Sequence, residues 1–335
     1  MLKIFFLDVG QGDSIIIQWQ KDGITKTGVV DCKQEANSVP TIEKLKKLSV
    51  TTIEFIILSH PHADHYSGML KLLQFCKEKD VDIKYFLHTC AQVPDFLKSV
   101  EASQENRRKL RKLFEFVRTE QSSMDFTEAW IDAGMPNAII PLNADLKLTF
   151  LSPTAKEYED YLGNALPHII SEEHAGANPN ANFLSTILKI SHNSNGWYVL
   201  FTSDAEARSF KRLNKNKTAF LNNEVLLIGQ SPHHGAKRNF HTNFWRLKNI
   251  RKKESTIIIS VGNNNYGHPS PLVIEKYRKQ GYKVVSTNSS SFIRSARKIT
   301  QSEMTLNIFS SISPSTNSSN DKMVQIDDLG ALKIS

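Results

Sequence analysis

Residues 53–68 read Ile-Glu-Phe-Ile-Ile-Leu-Ser-His-Pro-His-Ala-Asp-His-Tyr-Ser-Gly. The run Ile53, Phe55, Ile56, Ile57, Leu58 is short, β-branched and continuous rather than alternating, the pattern of a buried strand. At its end stand His60, His62, Asp64 and His65, all of them metal-ligand types. Gly68 and the apolar stretch Met69, Leu70, Leu72, Leu73 and Phe75 then predict a buried helix. A strand-to-helix turn is a rigid rim on which several side chains can converge. Imidazole nitrogen with carboxylate oxygen suits zinc or a neighbouring first-row ion. The chain has only 11 histidines in 335 residues, so this clustering is improbable for an ordinary polar loop.

Composition sets the frame. The length suits one large α/β domain or two modest ones, and 40% hydrophobic with 23% charged residues is ordinary for a soluble globular chain. No apolar run reaches the length of a membrane span. The polar glycine turn after Met1–Asp8 does not read as a secretory signal, so a cytoplasmic protein is expected. Cys32, Cys76 and Cys90 fit neither a disulfide framework nor a Cys-x-x-Cys zinc site, and reduced thiols are expected. A net charge of +8 with pI near 9.2 favours an anionic partner, nucleic acid or a phosphorylated substrate. A protein partner is not readable.

Upstream, residues 2–7 and 14–19 predict two strands joined by Asp8-Val-Gly-Gln-Gly-Asp13-Ser14, a tight turn in which Gly10 and Gly12 allow close backbone approach. A third strand, Gly28–Val30, ends at Asp31. Ile42, Leu45 and Leu48 predict a short helix.

Downstream, residues 101–118 predict a helix with Leu110, Leu113, Phe114 and Val117 on one face and a row of cations on the other. Strands are predicted at 83–87, 146–151 and 197–201, at 225–228 and 256–261, and from Lys283. Residues 156–181 read as an irregular, loop-like segment containing His168 and His174. Asp204 follows a strand and offers either a helix N-cap or a metal ligand. Ser231-Pro-His-His-Gly235 follows another strand. Successive side chains of an extended backbone face opposite ways, so one of the two histidines is expected as the ligand. Motif order favours His233, with His234 meeting substrate or holding its loop. Residues 311–335 read as a flexible connector and tail beyond a domain spanning 1–310, with Met323–Ile334 a short appended strand or a tail.

The Asp-Val-Gly-Gln-Gly-Asp-Ser turn followed by His-x-His-x-Asp-His resembles the lactamase-type domain of the ComEC/Rec2 DNA-uptake family and its soluble relatives. The resemblance covers about residues 1–295. It implies a metallo-β-lactamase fold, an αββα sandwich of two mixed sheets flanked by helices. It implies that Asp204 bridges two metals and that Asp31 supports the ligand loop. Asp13, Asn182, Ser185, Asn265 and Tyr266 are expected to orient ligands or meet substrate. His268, in an Asn-x-Tyr-Gly-His-Pro element, is expected to bind a phosphate or protonate a leaving group.

The expected site has His60, His62 and Asp204 at one metal, with Asp64, His65, His233 (or His234) and Asp204 at the other. Two divalent ions, zinc foremost and manganese as alternative, would activate a water whose proton Asp64 or Asp204 accepts. Many enzymes of this fold carry a histidine where Asn182 and Ser185 stand. Asn182, a water, His168 or His174 fills the gap, or the first site binds weakly. The expected activity is metal-dependent hydrolysis of a phosphodiester, with cationic clusters at 107–112, 208–217 and 246–253 as nucleic-acid contacts. Two competitors are hydrolysis of a small ester, lactone, thioester or nucleotide, and a metal-poor binding module in a partner complex.

Overall fold

The structure is a computed structural model. It describes residues 1–90, 96, 100, 101, 103–135, 138–170, 181–215, 221, 223–288 and 321–335, with the side chains of 164–170 excepted.

The first half runs β1 (Leu2–Phe6), β2 (Ser14–Lys21), β3 (Ile24–Cys32), α1 (Pro40–Lys47), β4 (Thr52–Ile53) and β5 (Phe55–Leu58). It continues through α2 (Ala63–Tyr66), α3 (Met69–Glu78), β6 (Asp82–Ile83), β7 (Tyr85–His88), α4 (Gln104–Glu120) and β8 (Thr127–Trp130). The second half runs β9 (Ile139–Pro141), β10 (Leu146–Ser152), α5 (Ala155–Ile170), β11 (Ile187–His192), β12 (Trp197–Phe201) and α6 (Ala207–Lys215). It closes with β13 (Val225–Gln230), α7 (Thr242–Arg246), β14 (Asn249–Ile250), β15 (Thr256–Ile259), α8 (Pro271–Lys279) and β16 (Lys283–Ser286). Two further strands, β17 (Lys322–Ile326) and β18 (Leu332–Ile334), end the chain.

Two large sheets result, ordered β18-β17-β1-β2-β3-β5-β7-β8 and β16-β15-β13-β12-β11-β10-β9. Each is mixed. In the first, β3, β5, β7 and β8 are parallel, and in the second β12, β13, β15 and β16 are.

The layering follows from side-chain alternation along the strands. In β2, Ile15 and Ile17 face the second sheet and pack in one cluster with Leu188, Ile190, Val199 and Phe201. Ile16 between them faces the other way, into a cluster with Leu72, Leu73, Leu110 and Leu113 of α3 and α4. The outer face of the second sheet carries Leu200, Leu226 and Ile257 against Phe210, Phe244, Trp245 and Tyr277. Helices therefore cover both outer faces, giving the expected αββα sandwich. Ile56 and Ile57 are fully buried, each contributing about 1.5–3 kcal/mol of burial energy.

One sequence expectation changes. Residues 155–170 form α5 rather than a loop: Tyr158, Tyr161 and Leu162 lie at helical spacing and pack on the first core. His168 lies in that helix, and His174 falls outside the described residues. The terminal strands join the first sheet, β17 running antiparallel beside β1 with Leu2 opposite Ile326. The boundary at residue 310 and the connector around it lie outside the described residues. Cys32, Cys76 and Cys90 are free and buried. Among the described residues no helix is long and apolar enough to cross a membrane.

Candidate metal centre

The parallel halves of both sheets end on one rim. The end of β3 supplies Asp31, and the segments leaving β5, β12, β13 and β15 deliver His60–His65, Asp204, His233–His234 and His268 to it. The turn after β1 closes this rim from below. Gly12 lies so near the ligand loop that a Cβ there would stand 2.3 Å from the Asp64 carbonyl, and its φ of +143° suits glycine. Asp13 N–H donates to that same carbonyl at 3.1 Å.

A hydrogen-bond relay fixes the tautomers of the histidines. Asp31 accepts from Ser59 N–H at 2.8 Å and from the Ser59 hydroxyl at 2.6 Å. With that proton committed, Ser59 Oγ accepts from the Ser203 hydroxyl at 2.6 Å. Ser203 Oγ in turn accepts from His60 Nδ1–H at 3.1 Å. His65 Nδ1–H donates directly to Asp31 Oδ2 at 2.7 Å. His234 Nδ1–H donates to the Ser260 carbonyl at 2.7 Å. All three imidazoles therefore turn Nε2 inward, as ligand histidines do when an outer partner holds the other nitrogen.

The inward atoms converge on Asp204. His65 Nε2 and His234 Nε2 each stand 3.5 Å from its Oδ1, and His234 Nε2 lies 3.3 Å from Asp64 Oδ2. On the other oxygen, Oδ2, His60 Nε2 lies at 3.8 Å and His233 Nε2 at 3.5 Å. The donor atoms of Asp64, His65, Asp204 and His234 lie within 4.8 Å of one another, and so do those of His60, His62 and Asp204. His60 Nε2, His65 Nε2 and Asp204 Oδ1 are buried and make no hydrogen bond. Burying polar atoms in this state is costly unless something binds them, and a nitrogen–oxygen donor set of this kind fits a divalent ion.

Electrostatics agree with close packing of opposite charges. Burial pushes the Asp64 and Asp204 carboxyls up, but the surrounding histidines outweigh it and hold both well below the usual range. Burial depresses His234, yet Asp204 and Asp64 outweigh that and carry it to about 9. His65 is likewise held high against its burial, mainly by Asp31 and Asp64. His60, with burial and neighbouring His65 against it, lies well below its ordinary value. Buried Asp13 is pushed up to about 6 by desolvation, and accepts from Gln230 Nε2 at 2.9 Å.

A cavity of about 740 Å³ opens over the cluster. Its wall includes His62, Asp64, Asp204, His233 and His234, then Asn182, Tyr266 and His268, and also Gln11, Glu101, Asn106 and Arg238. His268 is half-buried and, chiefly through that burial, depressed to about 4. Asn265 is exposed and does not line the cavity, while Asn264 organises its loop, donating to the Gly262 and His268 carbonyls at 2.9 and 2.7 Å. Ser185 is buried, its N–H bonded to the Asn182 carbonyl at 3.1 Å.

One premise of the sequence reading fails. His233 and His234 are not extended: their φ values are 48° and 53°, both left-handed. Alternation does not apply, and both rings reach Asp204. His234, not His233, sits with Asp64 and His65. Sequence reasoning also missed Ser59, Ser203, Gln230, Arg238 and Asn264. Ser203 had a signal in its place beside Asp204; Arg238, in a basic loop, had none.

No family model matches the chain, and no curated protein matches it. Among solved structures, it is similar to the metallo-beta-lactamase fold protein YhfI from Bacillus subtilis, at 12% identity and TM-score 0.43, over 85% of this chain and 96% of that one. A diphosphatase of the PhnP family matches at 11% and 0.43, over 85% and 95%. Unliganded yeast PDE1 matches at 10% and 0.43, over 85% and 96%. With two mixed sheets face to face, helices outside and a His/Asp cluster at the rim of the parallel strands, the chain has the αββα architecture of the metallo-β-lactamase sandwich.

Proposed function

We propose that the protein is a dinuclear metal-dependent hydrolase of phosphodiesters, acting on nucleic acid. The observation that carries this reading is Asp204, whose two carboxylate oxygens face two separate groups of donors. His60 and His62 with Asp204 would hold one ion; Asp64, His65 and His234 with Asp204 would hold the other, zinc first and manganese as alternative. Bound there, two divalent ions supply a water of lowered pKa and charge that offsets what builds up on the ester during cleavage.

The remaining work falls to side chains. Asp64 faces both donors and cavity, and takes the proton of the attacking water. His268 is neutral near pH 7 given its depressed value, so it donates an N–H to a phosphate oxygen rather than delivering a proton. Arg238 adds a fixed positive charge to the same wall. The order of motifs shared with the ComEC/Rec2 lactamase-type domain supports a nucleic-acid substrate, as does the exposed cationic face of α4, whose Asn106 reaches the cavity.

A second reading, a small ester, lactone or thioester, draws on the cavity volume, which suits one small molecule. Zinc- or manganese-loaded protein should be assayed on single- and double-stranded DNA, bis(p-nitrophenyl) phosphate and p-nitrophenyl acetate, beside an Asp64→Ala/His65→Ala variant. Phosphodiester cleavage lost in the variant supports the proposal. Cleavage of acetate alone transfers the reading to small esters. Absence of bound metal and of all cleavage leaves a binding module.

A further inference from the structure

We infer that the His233-His234 dipeptide divides between the two ions, His234 serving the Asp64–His65 side and His233 supplying the third imidazole of the His60–His62 side. This rests on the dinuclear reading above. The gap it fills is the histidine missing at Asn182.

Three observations carry it. First, the two rings address different oxygens of one carboxylate: His234 Nε2 is 3.5 Å from Asp204 Oδ1, and His233 Nε2 is 3.5 Å from Oδ2, the oxygen that His60 Nε2 also faces. Second, the backbone makes this possible. With φ of 48° and 53° the adjacent residues lie in the left-handed region, a conformation that is costly for non-glycine residues and is retained where surrounding structure demands it. His233 N–H is anchored to the Ser203 carbonyl at 2.9 Å, tying the dipeptide to the residue beside Asp204. Third, His233 Nδ1 lies 3.1 Å from Asn182 Nδ2. The two ends of an amide have the same shape, one a donor and the other an acceptor. Turned over by an ion at Nε2, the Asn182 amide presents its oxygen to the ring, accepts from Nδ1–H and leaves the Nε2 lone pair for that ion. Asn182 is then a positioning residue: it holds the imidazole that stands in for the one it lacks.

The test is zinc titration by calorimetry on folded protein, fold confirmed by circular dichroism, with stoichiometry rather than activity as the readout. Wild type should bind two zinc ions per chain. His233→Ala should keep one tight ion and lose affinity for the other by more than the roughly 10–100-fold that removal of an orienting partner costs. Asn182→Ala should weaken the same ion within that smaller range. Pairing assigns the site: His62→Ala/His233→Ala should still bind one ion, because both changes fall on one side, whereas His62→Ala/His234→Ala should bind none. The reverse pattern, or His233→Ala binding two ions as tightly as wild type, overturns the inference and spares the dinuclear reading. Wild type binding no zinc overturns both.

Discussion

Asp31 accepts from the Ser59 amide, the Ser59 hydroxyl and His65 at once. Through Ser59 and Ser203 it also sets the tautomer of His60, so one carboxylate orients an imidazole on each side of Asp204. Its φ of 59° is left-handed, which asparagine tolerates better than alanine does. Asp31→Asn therefore keeps the backbone while presenting a donor where Oδ2 accepts. We expect zinc affinity at both sites to fall about 10–100-fold, measured by competition with a chromogenic chelator; a loss confined to one site would break the relay.

Protonation gives a second expectation at this scale. Without metal, His65 and His234 are held above their ordinary value of 6.5, His234 at about 9. Their Nδ1–H groups are fixed, so the proton an ion displaces is the one on Nε2. Loading at pH 7 should release protons, and apparent affinity should climb with pH until about 9. Calorimetry in two buffers of different ionisation enthalpy counts them. The sign for folding is opposite: a raised folded pKa stabilises the metal-free protein fully below about 6.5, and that contribution disappears as pH rises through about 9. The metal-free Tm should fall across that window.

Among elements, the loops matter more than the strands they leave. A Cβ on Gly262 would lie 2.3 Å from the Gly10 carbonyl carbon, so the turn after β1 and the loop after β15 meet backbone to backbone. Gly262→Ala must push them apart, and a loss of roughly 1–3 kcal/mol is expected, as for overpacked cores, read from the urea midpoint at unchanged slope.

The legible part of this site was the local part. His60, His62, Asp64 and His65 share one turn, so their spacing announces them. Asp204 and Asp31 were legible only through motif order along similar chains. The His233/His234 assignment required a left-handed backbone that no residue type there advertises, since both are histidines rather than glycines. The Ser59–Ser203 contact joins residues 144 positions apart, and nothing in either neighbourhood marks it. Helix α5 was missed because Gly163 and Pro167 drew attention from the spacing of Tyr158, Tyr161 and Leu162.

For the whole molecule, net charge overstated the surface open to a polyanion. Of the expected cationic clusters, 208–217 is partly turned inward over its described residues: Arg212 pairs with Glu157 at 2.9 Å and Arg208 stacks on Phe183. In 246–253, Lys248 is buried over Phe244 and Arg251 donates to the Gly330 carbonyl at 2.8 Å. The face of α4 keeps Arg108, Arg111 and Lys112 exposed, while Lys109 beside them pairs with Glu105 at 2.7 Å. Single-stranded DNA binding should then show a log–log salt slope of about −2, at roughly 0.7 per phosphate neutralised. Arg111→Glu/Lys112→Glu should flatten it and reduce DNA cleavage while sparing bis(p-nitrophenyl) phosphate; an unchanged slope would place the nucleic acid elsewhere.

The shared carboxylate has a mechanical consequence. His60 through His65 belong to the first sheet, whereas Asp204 and the dipeptide belong to the second, so any ion held between them rivets one half of the sandwich to the other. Each ion at a hundred times its Kd adds about 2.7 kcal/mol to the folded state, and adds it across the seam between the halves. Chelation should therefore loosen that seam before it loosens either sheet, and hydrogen exchange would register the change first in the loops that face each other over the cavity.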